Sequence, residues 1–320
     1  MARYALRRLI QVVPVGFGVI LISFVLIQLA PGDPATVLAG EYADAKYVEA
    51  LRAELGLDRS VPVQFLRYLG RVVRGDLGYS FFHRQPVWAL IWSRIPATLL
   101  LMLTSFLVAT GIGLVAGIAS SRRPRGLFDS GALMLSLAGY SLPEFWTGQL
   151  LLIAFAVMLP LFPAQGMQSF IQVETGWSRV WDLARHLALP AFALGFRYLG
   201  ITLRLTRTSM MEVNEQDYVR TARAKGLAEG RIQYRDVLRN ALLPVITLIG
   251  TNLSFLVMGS VLVETVFGWP GIGRLVYDAI FNRDYPVILG TFLVMSVVVV
   301  LVHVVTDLIC ATIDPRIRMA

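Results

Sequence analysis

Apolar positions in this chain collect into long runs instead of alternating or recurring at short intervals. A membrane-spanning helix needs about 20 mostly apolar residues. Six stretches meet that need: 9–30, 96–119, 130–162, 187–205, 241–265 and 287–311. The third is too long for one straight span, and Pro143, Pro160 and Pro163 are expected to bend it or mark its exit. In the polar stretch 31–95, residues 43–55 place Val48, Leu51 and Leu55 on one helical face, with Gly56 as a stop. Residues 61–73 do the same with Phe65, Leu66, Leu69 and Val73, stopping near Gly75. Such helices either lie on the membrane surface or cover the outer ends of spans.

Composition agrees with the pattern. The 320 residues are 56% hydrophobic and only 16% charged, which excludes a single soluble core and points to an all-α polytopic membrane protein. The first run follows Arg3, Arg7 and Arg8, as in a signal peptide. It is longer than the roughly 7–15 apolar residues of such a peptide and no small-residue cleavage site precedes Pro31, so a retained anchor is expected.

Arginines set the orientation. The N-terminus, the loop with Arg122, Arg123 and Arg125, the loop from Arg207 to Arg239, and the tail with Arg316 and Arg318 all fall on one side of six spans. The opposite short loops hold only Arg179, Arg185, Arg274 and Arg283, so both termini are expected in the cytoplasm. The net charge of +8 is explained by these flanks without invoking nucleic acid. One cysteine, Cys310, allows no intrachain disulfide, and His83, His186 and His303 form no metal-binding spacing.

Motifs of catalysis are missing. No Gly-x4-Gly-Lys-Ser/Thr occurs, and the only lysines, Lys46 and Lys225, do not follow a glycine. No catalytic or metal-ligating residue is therefore assigned. Ionisable residues inside spans are candidates for a pathway. Glu144 reads either as a path or gate residue or as a carboxylate bonded to backbone freed by Pro143. Arg197 needs a partner within the bundle, whereas Arg204, seven residues on, is expected to snorkel to the cytoplasm. Glu264 and Asp307 lie near span ends and are expected at an interface, and His303 as a packed polar residue.

The polar segment 212–244 interrupts the apolar pattern between two runs. Its first half, 212–225, carries Tyr218, Val219, Ala222 and Ala224 among charges; Gly226 and Gly230 then punctuate the chain. Helical spacing resumes at Arg231, with Tyr234, Val237, Leu238, Ala241 and Leu242 expected on one side. Arg231, Arg235 and Arg239 form a row on another, and Pro244 is expected to mark entry into the next span. Helix, tight turn and helix make a knob at the cytoplasmic surface. Small Ala222 and Ala224 would admit a partner surface closely; an amphipathic connector held by lipid headgroups is the other reading. In 264–286, Gly268, Trp269, Pro270, Gly271 and Gly273 predict a tight turn and 275–281 a short helix, which either plugs an outer mouth, meets an external protein or merely connects spans.

The polar segment resembles the cytoplasmic signature of permease subunits in binding-protein-dependent ABC importers. That signature reads Glu-Ala-Ala-x3-Gly-x9-Ile-x-Leu-Pro; Ala222, Gly226 and Leu238 fit it, while Arg220, Thr221, Asp236, Arg239 and the later Pro244 depart. TARAKGL at 221–227 followed by LRNALLP at 238–244 is similar to the dipeptide, oligopeptide and nickel branch. So are APGDP at 30–34, ELGLD at 54–58, GDLGYS at 75–80, RIPATLLL at 94–101, ETVFGWPGIGRLVYDAI at 264–280, RDYP at 283–286 and DPRIR at 314–318. Cys310 and His303 are small departures from that branch.

The resemblance implies a type I importer permease fold in a bacterial inner membrane. It implies an N-terminal part, 1–95, of anchor plus outer loop, and a core permease part, 96–320. Partners would be a second homologous permease subunit, two ABC ATPases, an external solute-binding protein and membrane lipid. ATP and magnesium would bind in the ATPases, and no cofactor in this chain. Tyr218, Ala222, Ala224, Lys225, Gly226, Leu227 and Arg231 would meet an ATPase. Glu144 and Arg197 would serve the path, and Trp269, Pro270, Gly271 and Asp284 the outer loop. A self-contained secondary transporter or channel is the alternative, and would be expected to show a repeat and several intramembrane charges.

Overall fold

The computed structural model of the chain describes residues 2–29, 35–36, 44–54, 56–169 and 176–313. APGDP at 30–34, Leu55 and the DPRIR tail lie outside them, as do the side chains of Asp307 and Cys310. The architecture is helical, with helices α1 (Ala2–Leu29), α2 (Ala45–Glu54) and α3 (Val61–Val73) first. A two-stranded hairpin follows, β1 (Tyr79–Ser80) and β2 (Gln85–Pro86), antiparallel with Tyr79 opposite Pro86. Then come α4 (Val87–Arg122), α5 (Leu127–Ser141), α6 (Glu144–Leu151), α7 (Trp177–Asn214), α8 (Asp217–Ala224), α9 (Leu238–Val266), α10 (Ile272–Phe281) and α11 (Tyr285–Ile313).

Among the described residues, three helices are long and apolar enough to cross a membrane: α4, α7 and, over Tyr285–Thr306, α11. The pair α5 and α6, with its continuation to Met158, makes a fourth if counted as one broken span. The expected first and fifth spans fall on α1 and α9, where the side chains of 2–13 and 249–260 lie outside the described residues. Pro143 does bend the third run: α5 and α6 meet at 112°. Leu142, the residue before the proline, is extended at φ −84° and ψ 132°, because the proline ring disfavours helical geometry there. Pro96 sits inside α4, and Pro244, expected to mark entry into a span, sits inside α9 near its start.

The chain forms two compact units, Met1–Ala97 with Pro270–Leu301, and Thr98–Trp269 with Val302–Ala320. In the first, α3 covers α1. The Phe65 ring meets Phe24 edge-on at 5.3 Å and Phe17 at 6.1 Å, and Tyr68 is buried with Ile20, Phe24 and Leu289. The apolar face of α3 is thus packed against another helix of this chain. A second core joins Leu77, Val87, Leu90 and Ile91 to Ile272, Leu275, Val287 and Ile288.

In the second unit α7 is central. It is buried over 78% of its apolar window, against 28% and 33% for α4 and α11. Lipid offers no hydrophobic drive between helices, so close van der Waals approach must hold them. Gly113 and Gly117, one turn apart on α4, provide it. A Cβ on either would lie 2.8 Å from Leu199 O or 2.7 Å from Leu203 O. On the α5 side a Cβ at Gly200 would lie 2.6 Å from Ser136 O, and the Ser136 hydroxyl donates to Gly200 O at 2.7 Å. Glu264, expected at an interface, is fully buried and accepts from the Thr98 hydroxyl at 2.8 Å.

Candidate functional site

The knob at 212–244 grows directly from the end of α7. Gln216 is extended and Asp217 opens α8 with its carboxylate in the first turn, favourable to the helix dipole. The helix ends in a complete Schellman turn: Leu227 N donates to Ala222 O at 3.3 Å and Gly226 N to Arg223 O at 2.9 Å. Gly226 takes φ +74°, which glycine adopts without the Cβ clash of other residues. The chain then makes one turn at Glu229–Arg231 and a π-helical stretch, Ile232–Val237, before α9.

A small core holds the knob together. Val219, Ile232, Val237, Met210 and Ala241 are all buried in it, with Ala222 and Leu238 packed against them. Tyr234, Leu238 and Leu242 were expected to share the face of Val237 and Ala241. The π-helical stretch changes the period, so Ile232 takes the inward position and Tyr234 is exposed. Tyr234 instead meets Arg122, whose guanidinium bonds its hydroxyl and lies 5.2 Å from its ring centre.

Polar groups fasten the turn to α7. Gln233 Nε2 donates to Asn214 Oδ1 at 2.7 Å and to Glu229 Oε1 at 2.8 Å. Arg223 Nη2 donates to Asn214 Oδ1 at 3.0 Å and to Glu229 Oε1 at 2.9 Å. The Arg223 guanidinium, with a further bond from Gln233, holds the Glu229 carboxyl down at about 2. These groups, with Met211 and Arg122, line an open groove of about 700 Å³. Sequence reading missed Asn214, Glu229 and Gln233. Only the polar run EGRIQ at 229–233 hinted at them, and no periodicity singles out a side chain that bonds across a turn.

Of the expected partner-facing residues, Tyr218, Ala224, Lys225, Gly226, Leu227 and Arg231 are exposed. Ala222 is not free in the same way: it is half-buried against the inner core, so its small size serves packing under the helix. Arg235 and Arg239 are exposed with Arg231.

Glu144 and Arg197 are brought together, as α6 begins beside α7. Glu144 is half-buried and interacts electrostatically with Arg197, which is exposed and stacks 5.4 Å from the centre of the Tyr140 ring. The outer-loop residues divide between the two units. Trp269 is fully buried and its N–H donates to Glu264 O at 2.8 Å. In the other unit Asp284, only 2% exposed, accepts from the Ser80 hydroxyl at 2.5 Å and from Phe82 N at 3.4 Å, pinning the hairpin. Gly271 is buried and Pro270 half-buried, with Pro270 O accepting from Arg94 at 3.5 Å. These four are packing residues of this chain rather than an open face.

Comparison with known proteins agrees with this geometry. Residues 109–319 match the family described as binding-protein-dependent transport system inner membrane component. Residues 1–102 match its N-terminal companion family. The chain is 42% identical to the di/tripeptide transport system permease protein DppB of Pseudomonas aeruginosa (strain UCBPP-PA14), over 99% of both chains. It is 39% identical to the dipeptide transport system permease protein DppB of Escherichia coli (strain K12), again over 99% of both. The oligopeptide transport system permease protein AppB of Bacillus subtilis (strain 168) is 40% identical, over 99% of this chain and 100% of that one. In fold, the chain is similar to a chain of the MetNI methionine ABC transporter in an inward-facing conformation. The TM-score is 0.55 at 18% identity, covering 71% of this chain and 97% of the other.

Proposed function

This chain belongs to the family of binding-protein-dependent transport system inner membrane components, and from that premise we propose that residues 212–244 are its coupling element for an ATPase. It is a permease subunit of an ABC importer, an inner-membrane protein that conducts solute while ATP is hydrolysed in partner subunits. Peptides of two or more residues are the proposed cargo, because relatives about 40% identical over nearly the full length are named for peptide transport.

The remaining organisation is proposed from the residues. Six spans with both termini in the cytoplasm put every arginine-rich short loop, including the knob, on the ATPase side. A second permease subunit would complete the path beside Glu144 and Arg197, and ATP with magnesium would bind in the two ATPases. A solute-binding protein would deliver cargo from outside.

One observation carries the coupling role: an exposed, Schellman-capped helix hangs on the end of α7, the central helix, through Arg223, Glu229, Gln233 and Asn214. A push on α8 therefore reaches α7 through short bonds rather than through a slack loop. ATP binding would favour one conformation of the path through differential affinity for the two states.

Gly226→Asp tests this role. A Cβ at Gly226 meets no atom within 4 Å, and Asp is among the residues that tolerate positive φ, so the knob should keep its fold. The variant should insert normally in the membrane yet lose ATP-driven uptake and binding-protein stimulation of ATPase activity. Uptake at the wild-type rate would refute the coupling role.

A further inference from the structure

We propose that Arg197, Arg204 and Tyr140 form a station on the translocation path that takes the free carboxylate of the transported solute, the C-terminus of a peptide. This rests on the importer reading above.

Arg204 does not sit apart from Arg197. Its guanidinium lies 5.7 Å from the centre of the Tyr140 ring, the same ring that Arg197 meets at 5.4 Å. Seven residues separate the two arginines, a rise of about 10.5 Å along α7, and Tyr140 of α5 bridges them. Thr208, four residues further on, is exposed on the same side, while Phe196, Tyr198, Leu199 and Leu203 are buried. A helix buried over 78% of its apolar window thus presents an exposed strip that carries two cations.

These cations are not absorbed by the fold. Neither arginine donates a side-chain hydrogen bond or forms an ion pair among the described residues; the contact they share is the Tyr140 ring. Glu144 interacts electrostatically with Arg197, and as a single carboxylate it leaves one of the two positive charges uncompensated. By contrast Arg207, three residues past Arg204, is fully engaged by Asp129.

Position decides what the strip faces. Arg197 lies ten residues from Leu187 and eight from Leu205, the ends of the apolar stretch 187–205. That is about 15 Å and about 12 Å of helix, near the middle of a hydrocarbon layer about 30 Å thick. An exposed charge in hydrocarbon is costly, so such residues face a water-filled cavity or a partner. The Tyr140 ring holds both guanidinium groups near it and takes up none of their N–H groups as hydrogen bonds. A guanidinium edge matches a carboxylate with two parallel hydrogen bonds, which an ammonium cannot copy. Two such forks along one helix would let a peptide C-terminus pass from one to the next.

The experiment uses the complete importer, both permease subunits with ATPases, in proteoliposomes. A mixture of dipeptides and tripeptides is supplied in free-acid and C-amidated forms, each loaded to saturation on the cognate binding protein, and ATP-driven uptake is read by mass spectrometry. Wild type should favour the acid form about tenfold or more. In Arg197→Gln/Arg204→Gln the preference should vanish, with acid uptake falling about tenfold. Arg197→Lys, which keeps charge but loses the fork, should retain part of it. Tyr140→Leu, which keeps both charges, should reduce it. Equal uptake of both forms by wild type, or an unchanged preference in these variants, overturns the carboxylate station while leaving the importer intact. Absence of any ATP-driven peptide uptake by the wild-type complex would instead overturn the peptide-importer reading.

Discussion

Arg223 and Glu229 close the turn of the knob at 212–244 as a paired fork, Nη2 to Oε1 at 2.9 Å and Nε to Oε2 at 3.2 Å. The five residues between them include Gly226 at φ +74°. One end of the pair belongs to α8 and the other to the start of the return segment, so the bond sets the width of the knob. The pair is roughly half exposed, 42% and 58%, and exposed ion pairs contribute only about 0.2–1 kcal/mol. It therefore shapes the turn more than it stabilises the protein.

A pH consequence follows from Glu229. Its folded value, about 2 through the Arg223 guanidinium, lies below the ordinary glutamate value of about 4.3. A depressed carboxylate contributes fully above the unfolded value and loses its contribution as pH falls through the folded one. The Arg223 link should thus stay intact from pH 8 to pH 5. Glu229→Gln should lower ATP-driven uptake by a few-fold, and its ratio to wild type should hold constant across that range. A ratio that rises toward one at pH 5 would mean that Glu229 is already neutral there.

Glycines of the span helices separate by what a methyl would meet. At Gly200 a Cβ would stand 2.6 Å from Ser136 O, a backbone atom that cannot swing away. Gly200→Ala should destabilise the detergent-solubilised protein by about 1–3 kcal/mol, the usual cost of overpacking. Gly111 on α4 has nothing within 4 Å, and Gly111→Ala should be neutral or stabilising by up to about 1 kcal/mol, the helix-propensity gain. Thermal unfolding of the two variants side by side checks the contrast. Equal melting temperatures would mean that α5 and α7 are not in tight contact.

Helices were legible in the sequence because membrane helices bury their own backbone bonds, and apolar length alone marks them. The break at Pro143 was legible for the same local reason: proline restricts the residue before it. What stayed hidden was side-chain partnership. Tyr234 looked inward by a 3.6-residue period, and only the π-helical stretch turned it toward Arg122. The ring shared by Arg197 and Arg204 was hidden too, since Tyr140 lies fifty-seven and sixty-four positions away. Asp284 read only as part of the outer loop; that it is a buried anchor was hidden, since Ser80 lies 204 positions earlier. The hairpin it pins, only two residues per strand, was too short to show alternation.

Asp129, 2% exposed, lies beside the C-terminal end of α4. Its carboxylate accepts from Arg207 Nη2 at 2.7 Å and Nε at 2.5 Å, from Arg125 N at 2.7 Å, and from the Ser120 hydroxyl. Arg125 itself has φ +63°, a turn that this bond supports. Three segments, α4, α5 and α7, are thereby tied at one carboxylate. Removing one member of a buried pair leaves the other charge without compensation and costs about 3–5 kcal/mol, whereas removing both costs far less than the sum. Asp129→Asn should therefore destabilise strongly, and Asp129→Asn/Arg207→Gln should be more stable than Asp129→Asn alone. Thermal unfolding of the two single variants and the double variant measures the interaction. Additive effects would show that Asp129 and Arg207 act independently and that the other contacts between α5 and α7, such as those at Gly139 and Gly200, hold the two helices together.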